Sequence, residues 1–121
     1  MKLLVLYQAR DAVQDQPGYH DGFQRLVAEG MLAMHEALPY YGVAESRGWS
    51  ALWTEAYELA ARIQADAIFL QFFHGSIPDP FSGIQRLKEL ASRPTVFTSL
   101  GDPFGRVTKT VPKCFSAASA L

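Results

Sequence analysis

The chain holds a single cysteine, Cys114, so its 121 residues can form no internal disulfide. That usage fits a reducing compartment, and a cytoplasmic location is the expectation. No apolar run approaches the ~20 residues needed to cross a bilayer, so no membrane span is expected. "MKLLVLY" opens like a secretory leader but breaks into "QARDAVQDQ" after about five apolar residues, short of the ~7–15 of a leader's core. It reads instead as a first strand. Neither sign of charge dominates: 11 Lys and Arg against 12 Asp and Glu leave a formal net charge of −1. The basic residues are scattered, which disfavours nucleic acid and anionic membrane as partners. Gly-x-Gly-x-x-Gly and Gly-x4-Gly-Lys-Ser/Thr are both lacking, so neither a dinucleotide fingerprint nor a P-loop is present. Ser99 has no Gly-x-Ser-x-Gly elbow around it. Asp-x-Asp is also absent, and the three histidines show no metal-ligand spacing. No bound metal and no resident cofactor are expected.

What is present is the composition of one globular domain, residues 1–121, with enough apolar material (49%) for a real core. Lys2 to Tyr7 reads as a strand buried on both faces. "QARDAVQDQPGYH" follows as a long polar loop, and such loops are often functional. From Asp21, taken as an N-cap, residues Phe23, Leu26, Val27, Met31, Met34 and Leu38 recur at helical spacing until Pro39 stops them. His35 would lie inside that helix, in a structural role. "YYGVAES" reads as a weak strand interrupted by Gly42. Trp49, Leu52, Trp53, Ala56, Ala60 and Ile63 mark a second helix, with Ser46 or Gly48 near its start. "DAIFLQFF" is the clearest strand. Asp79 or Ser82 would cap a third helix carrying Ile84, Leu87 and Leu90, before the strand "TVFTSL" and a last helix in "TVPKCFSAASAL".

Strands alternating with helices predict an α/β fold: a three-layer α/β/α, Rossmann-like domain around a small parallel sheet of about four strands. In such sheets ligands bind outside the carboxyl ends of the strands, where the strand order reverses. For the order 2-1-3-4 that point lies between the first and third strands. Two loops meet there, "QARDAVQDQPGYHDG" and "HGSIPDPFSG". His74 would end the third strand there as a hydrogen-bond donor or general base, followed by Gly75 and Ser76. Asp102 ends the next strand and would accept a proton from a substrate hydroxyl. Gln8, Arg10 and His20 would line the first loop, with Gly18 letting backbone N–H groups approach an anion at the helix start. Arg106 is a further candidate for a carboxylate or phosphate, although a surface ion pair is the commoner fate of it and of Arg10.

The two junctions "ADAIFLQFFHG" and "RPTVFTSLGD" resemble the paired motifs "PDVVHVHG" and "PVVVTVHD" of the N-terminal domain of GT-B glycosyltransferases. The phrasing "QFFHG…IPDP…SLGDPFGR" is most similar to the spore-maturation-like, CgeB-type members. This resemblance implies an acceptor-binding domain of a nucleotide-sugar-dependent transferase. His74 falls on the family's loop histidine and Asp102 on the aspartate of its His-Asp pair, with Gly101 in place of the histidine. Both would be catalytic. It further implies that the nucleotide-sugar donor binds a C-terminal α/β domain, so that this chain is the N-terminal half of a larger protein and inactive alone. The partners would be that domain and a sugar or other small-molecule acceptor. The alternative is a non-catalytic flavodoxin-like or receiver-like binding module. A phosphoacceptor receiver needs clustered acids after the first strand and an aspartate ending the third, and this chain has neither. Trp49, Trp53 and the "PYYG" aromatics would supply part of an interface in such a module if exposed. Helical spacing makes core packing the commoner use of the two tryptophans, and burial would leave only the cleft loops.

Overall fold

Lys2–Tyr7 forms β1, and its side chains fall into two sets because successive residues of a strand face opposite ways. Leu4 and Leu6 enter one apolar cluster, while Leu3, Val5 and Tyr7 enter a second. The computed structural model describes residues 1–71 and 77–99. After β1 come α1 (Ala12–Asp15), α2 (Pro17–Ala28) and β2 (Met34–Pro39). They are followed by α3 (Tyr40–Arg47), α4 (Trp49–Ile63), β3 (Ala67–Leu70), α5 (Pro80–Lys88) and β4 (Thr95–Thr98). Every pairing is parallel, and the strand order is β2-β1-β3-β4. The chain is therefore an α/β domain of Rossmann-like build with the expected strand order.

The direction of each crossover decides which face a helix covers. From β1 to β2 the chain steps to one side, and from β2 through β3 to β4 it steps to the other, so right-handed connections put their helices on opposite faces. On one face, Val43, Leu52, Trp53, Ile84 and Leu87 from α3, α4 and α5 pack with Leu4, Leu6, Ile68 and Leu70. On the other, Phe23, Leu26 and Val27 of α2 pack with Leu3, Val5 and Phe69. Burying one leucine contributes roughly 1.5–3 kcal/mol. Leu4, Leu6, Leu52 and Leu70 are each 0% exposed, so these four side chains alone carry a sizeable share of the core. Trp53 is buried and Trp49 packs partly buried against the same cluster, so the two rings serve the core.

Three expectations are corrected. The helix expected from Asp21 to Leu38 begins at Pro17 and ends at Ala28. Gly30 at φ 79° turns the chain out of it, and Met31 is 68% exposed. Met34 and Leu38 belong to β2, whose even spacing along a strand coincides with the four-residue spacing of a helix. His35 therefore lies on a strand, and Asp21 lies inside α2 rather than at its cap. The second strand is thus Met34–Pro39, while "YYGVAES" is helix α3. Its first turn is held from outside: the backbone N–H groups of Tyr41 and Gly42 both donate to the Ala9 carbonyl, at 3.1 and 3.2 Å. Gly42 is required there, because a Cβ would run into the Arg10 carbonyl. Finally, the long first loop contains α1. Asp11 caps that helix, accepting from the N–H groups of Val13 and Gln14 at 3.0 and 2.9 Å. Gly48 precedes α4 as its cap residue, and Asp79 stands before α5 without a side-chain cap bond. The last helix expected in "TVPKCFSAASAL" lies outside the described residues.

Candidate functional site

The carboxyl ends of β1 and β3 lie side by side, and the two residues that leave them are both glutamines. Gln71 continues the ladder, donating its N–H to the Leu6 carbonyl at 3.0 Å. Its side chain turns toward β1, where Oε1 accepts the backbone N–H of Gln8 at 3.0 Å. Tyr40, at the start of α3, donates its hydroxyl to the Gln71 carbonyl at 2.9 Å. Gln16 donates its amide to the Gln8 carbonyl at 3.1 Å. Residues from β1, β3, α3 and the stretch between α1 and α2 are thereby locked around one point.

Gln71 is 0% exposed, and its Nε2 has no hydrogen-bond partner among the described residues. Because Oε1 is committed to Gln8, the amide cannot turn over to relieve this without losing that bond. A buried, unsatisfied amide donor costs about 1–3 kcal/mol. Groups of this kind are concentrated where structure serves something other than stability.

Beside this junction opens a cleft of about 520 Å³, lined by Gln8, Ala9, Arg10, Asp15, Tyr41 and Glu45. Arg10 Nε pairs with Glu45 at 2.7 Å, with both side chains well exposed (74% and 55%). The backbone N–H groups of Asp11 and Arg10 donate to Asp15 at 3.2 and 2.9 Å and hold its carboxyl below the ordinary value. The lining thus carries one cation, two carboxylates and the neutral Gln8, while Gln71 is buried behind Gln8 and holds its backbone.

Of the residues proposed from sequence, Gln8 and Arg10 line this cleft. Gly18 lies in the first turn of α2 with open space where a side chain would be. His20 is on the same turn, but its ring packs beneath the helix, 6.4 Å from Tyr7 and 5.3 Å from His35. His74, Gly75, Ser76, Asp102 and Arg106 lie outside the described residues. The sequence pattern does not single out Gln71, Asp15 or Glu45, whereas Tyr41 stands in "PYYG" as an interface aromatic. Of those three, Gln71 alone left a trace, as the polar residue closing the all-buried run of β3.

Among the described residues no three His, Cys, Asp or Glu side chains converge, and no helix is long and apolar enough to cross a membrane. The fold and the cleft define a Rossmann-like α/β domain with a polar crevice at its switch point. No family model matches the chain, and no curated protein or solved structure matches it either.

Proposed function

We propose that the chain is the acceptor-binding domain of a nucleotide-sugar-dependent glycosyltransferase of the GT-B, CgeB-like kind. The observation that carries this reading is the polar cleft at Gln8, whose backbone the buried Gln71 holds, at the reversal of strand order, where parallel sheets bind their ligands. A cleft of about 520 Å³ falls in the ~300–1,000 Å³ range of small-molecule sites. Gln8, the Arg10 guanidinium and the carboxylates of Asp15 and Glu45 supply directed donors and acceptors of the kind the hydroxyls of a sugar require.

In this reading the acceptor lies across Gln8 and Arg10, with Gly18, Gly75, Ser76 and Arg106 as further contacts, while His20, turned toward Tyr7 and His35, takes no part. Its hydroxyl oxygen attacks the anomeric carbon of a nucleotide-sugar held by a second α/β domain. The bond to the nucleotide's phosphate oxygen breaks, and the hydroxyl proton leaves through Asp102 or the departing phosphate. His74 contacts the donor or acceptor. The enzyme acts in the cytoplasm, where nucleotide-sugars are plentiful.

The test is sugar transfer by the polypeptide as its source cell makes it, with His74→Ala beside wild type. Loss of a positioned acid–base group lowers turnover by about 10²-fold or more, with circular dichroism unchanged. Wild-type turnover in the variant would remove His74 from the mechanism. Sugar binding without any transfer would leave the non-catalytic α/β module as the function.

A further inference from the structure

Under α2, the opposite side of β1 from α4 carries a cluster of polar rings, none of which lines the cleft. Tyr7 reaches across to β2, and its Oη donates to Nε2 of His35 at 2.8 Å. The other ring nitrogen, Nδ1, stands 3.1 Å from Gln24 Oε1. An amide oxygen only accepts, so Nδ1 carries the proton and Nε2 carries the lone pair. His20, from the first turn of α2, places its ring centroid 5.3 Å from that of His35 and 6.4 Å from that of Tyr7. The third side of the triangle, Tyr7 to His35, is 5.9 Å. Both histidines are part-exposed, while Tyr7 is 0% exposed.

We propose that Tyr7, His20 and His35 form a binding site for a divalent transition metal of borderline softness, with Zn²⁺ as the reference ion. Zinc binds imidazole nitrogen at roughly 2.0–2.1 Å in tetrahedral geometry, which sets two ligating rings about 5 Å apart between centroids. The separation of His20 and His35 matches that figure. The ligand atoms on such an ion stand about 3.3 Å apart, so the 2.8 Å between Tyr7 Oη and His35 Nε2 needs to open only slightly. Gln24 already supplies the outer contact of a metal-bound histidine, a carbonyl oxygen that takes the other N–H and fixes the tautomer. The phenol completes the set, since no third His, Cys, Asp or Glu converges there among the described residues.

On binding, the ion takes the place of the proton that Tyr7 shares with His35. The O–H bond breaks, the proton passes to solvent, oxygen and nitrogen each give a lone pair to the metal, and water fills the fourth position. Imidazole favours zinc, copper and nickel over magnesium and calcium. Chain spacing conceals the site, because one histidine is on a helix, the other on a strand, and the tyrosine on a second strand.

This proposal is independent of sugar transfer. Titrating tag-free protein with ZnCl₂, followed by calorimetry and by the histidine ring-proton resonances, tests it. The expected result is saturable one-to-one binding in the micromolar range with shifts of the His20 and His35 rings. His20→Ala, which removes a part-exposed ring, lowers affinity at least about tenfold with unchanged circular dichroism. Tyr7→Phe abolishes the proton release seen on comparing buffers of different ionisation enthalpy. Binding only at millimolar zinc, equal affinity in His20→Ala, or undiminished proton release in Tyr7→Phe each overturns the three-ligand site.

Discussion

Tyr7 donates its hydroxyl to His35 Nε2 at 2.8 Å, tying the interior strand β1 to the edge strand β2 under the cover of α2. The bond requires an unprotonated Nε2, so the neutral ring is part of the folded structure. Burial first, and the neighbouring His20 second, lower the His35 pKa from 6.5 to about 4. Burial also pushes the Tyr7 phenol above its ordinary value, which keeps it a donor.

The sign of the pH effect follows. Between about 4 and 6.5 the unfolded chain binds a proton at His35 that the folded chain does not. This contribution to stability is therefore present above 6.5 and is lost as pH falls toward 4. Discounted for the ring's partial exposure, it amounts to about 1–2 kcal/mol. Urea denaturation from pH 7 to pH 4 should show that loss in wild type. His35→Gln should be less stable at pH 7 and have a flatter profile.

Two glycines are fixed by contact rather than by turn geometry. A Cβ at Gly83 would enter the Trp53 ring, and one at Gly42 would meet the Arg10 carbonyl. Gly83→Ala and Gly42→Ala should each cost about 1–3 kcal/mol by overpacking, with a changed tryptophan emission in the first. Gly18→Ala, where nothing stands nearby, should be neutral or stabilising by about 0.4–1 kcal/mol. Thermal melts of the three variants check the contrast.

Gln71 separates stability from binding. Gln71→Leu removes the acceptor of the Gln8 N–H but also removes a buried amide donor that has no partner among the described residues. These effects oppose each other, so stability should change by no more than about 1 kcal/mol. Sugar binding, measured by calorimetry with the best acceptor, should be lost.

The Arg10–Glu45 pair is exposed, and such pairs contribute about 0–1 kcal/mol. Glu45→Gln should leave the melting temperature nearly unchanged. It should also free the guanidinium, so that acceptors carrying a carboxylate bind more tightly while neutral ones are unaffected. Parallel titrations with a neutral sugar and its uronic acid check this.

How much of this was legible in the sequence depended on whether a local pattern had one physical reading. The stripe from Trp49 to Ile63 has only one, and α4 lies there with Leu52, Trp53, Ala56, Ala60 and Ile63 buried. The run in β3 is buried at every position, as expected of a central parallel strand. Met34 and Leu38 were ambiguous, because four residues is one helical turn and also two steps along one strand face. Without a reading of Gly30 as the stop, the strand was absorbed into the helix. α3 buries only Tyr40 and Val43 and is anchored through backbone bonds to Ala9, a long-range cause that no local pattern records.

The site divides in the same way. Gln8 and Arg10 were legible because strand order alone puts the end of β1 at the crevice. Glu45 and Asp15 act there through partners on other elements, and Gln71 matters through a bond to a residue far away in the chain. The meeting of His20 with His35 was hidden by the misplacement of His35 on a helix.

The most direct test of the central claim, a polar ligand held at the β1/β3 carboxyl ends, is an amide NMR titration with a panel of neutral and acidic sugars. The account predicts saturable shifts centred on the backbone of Gln8, Ala9 and Arg10 and on the Gln71 side-chain amide, lost in Gln71→Leu. Shifts centred instead on Lys2, Asp66 and Ser92, which line a pocket of about 600 Å³ that includes the amino ends of β1 and β3, would contradict it.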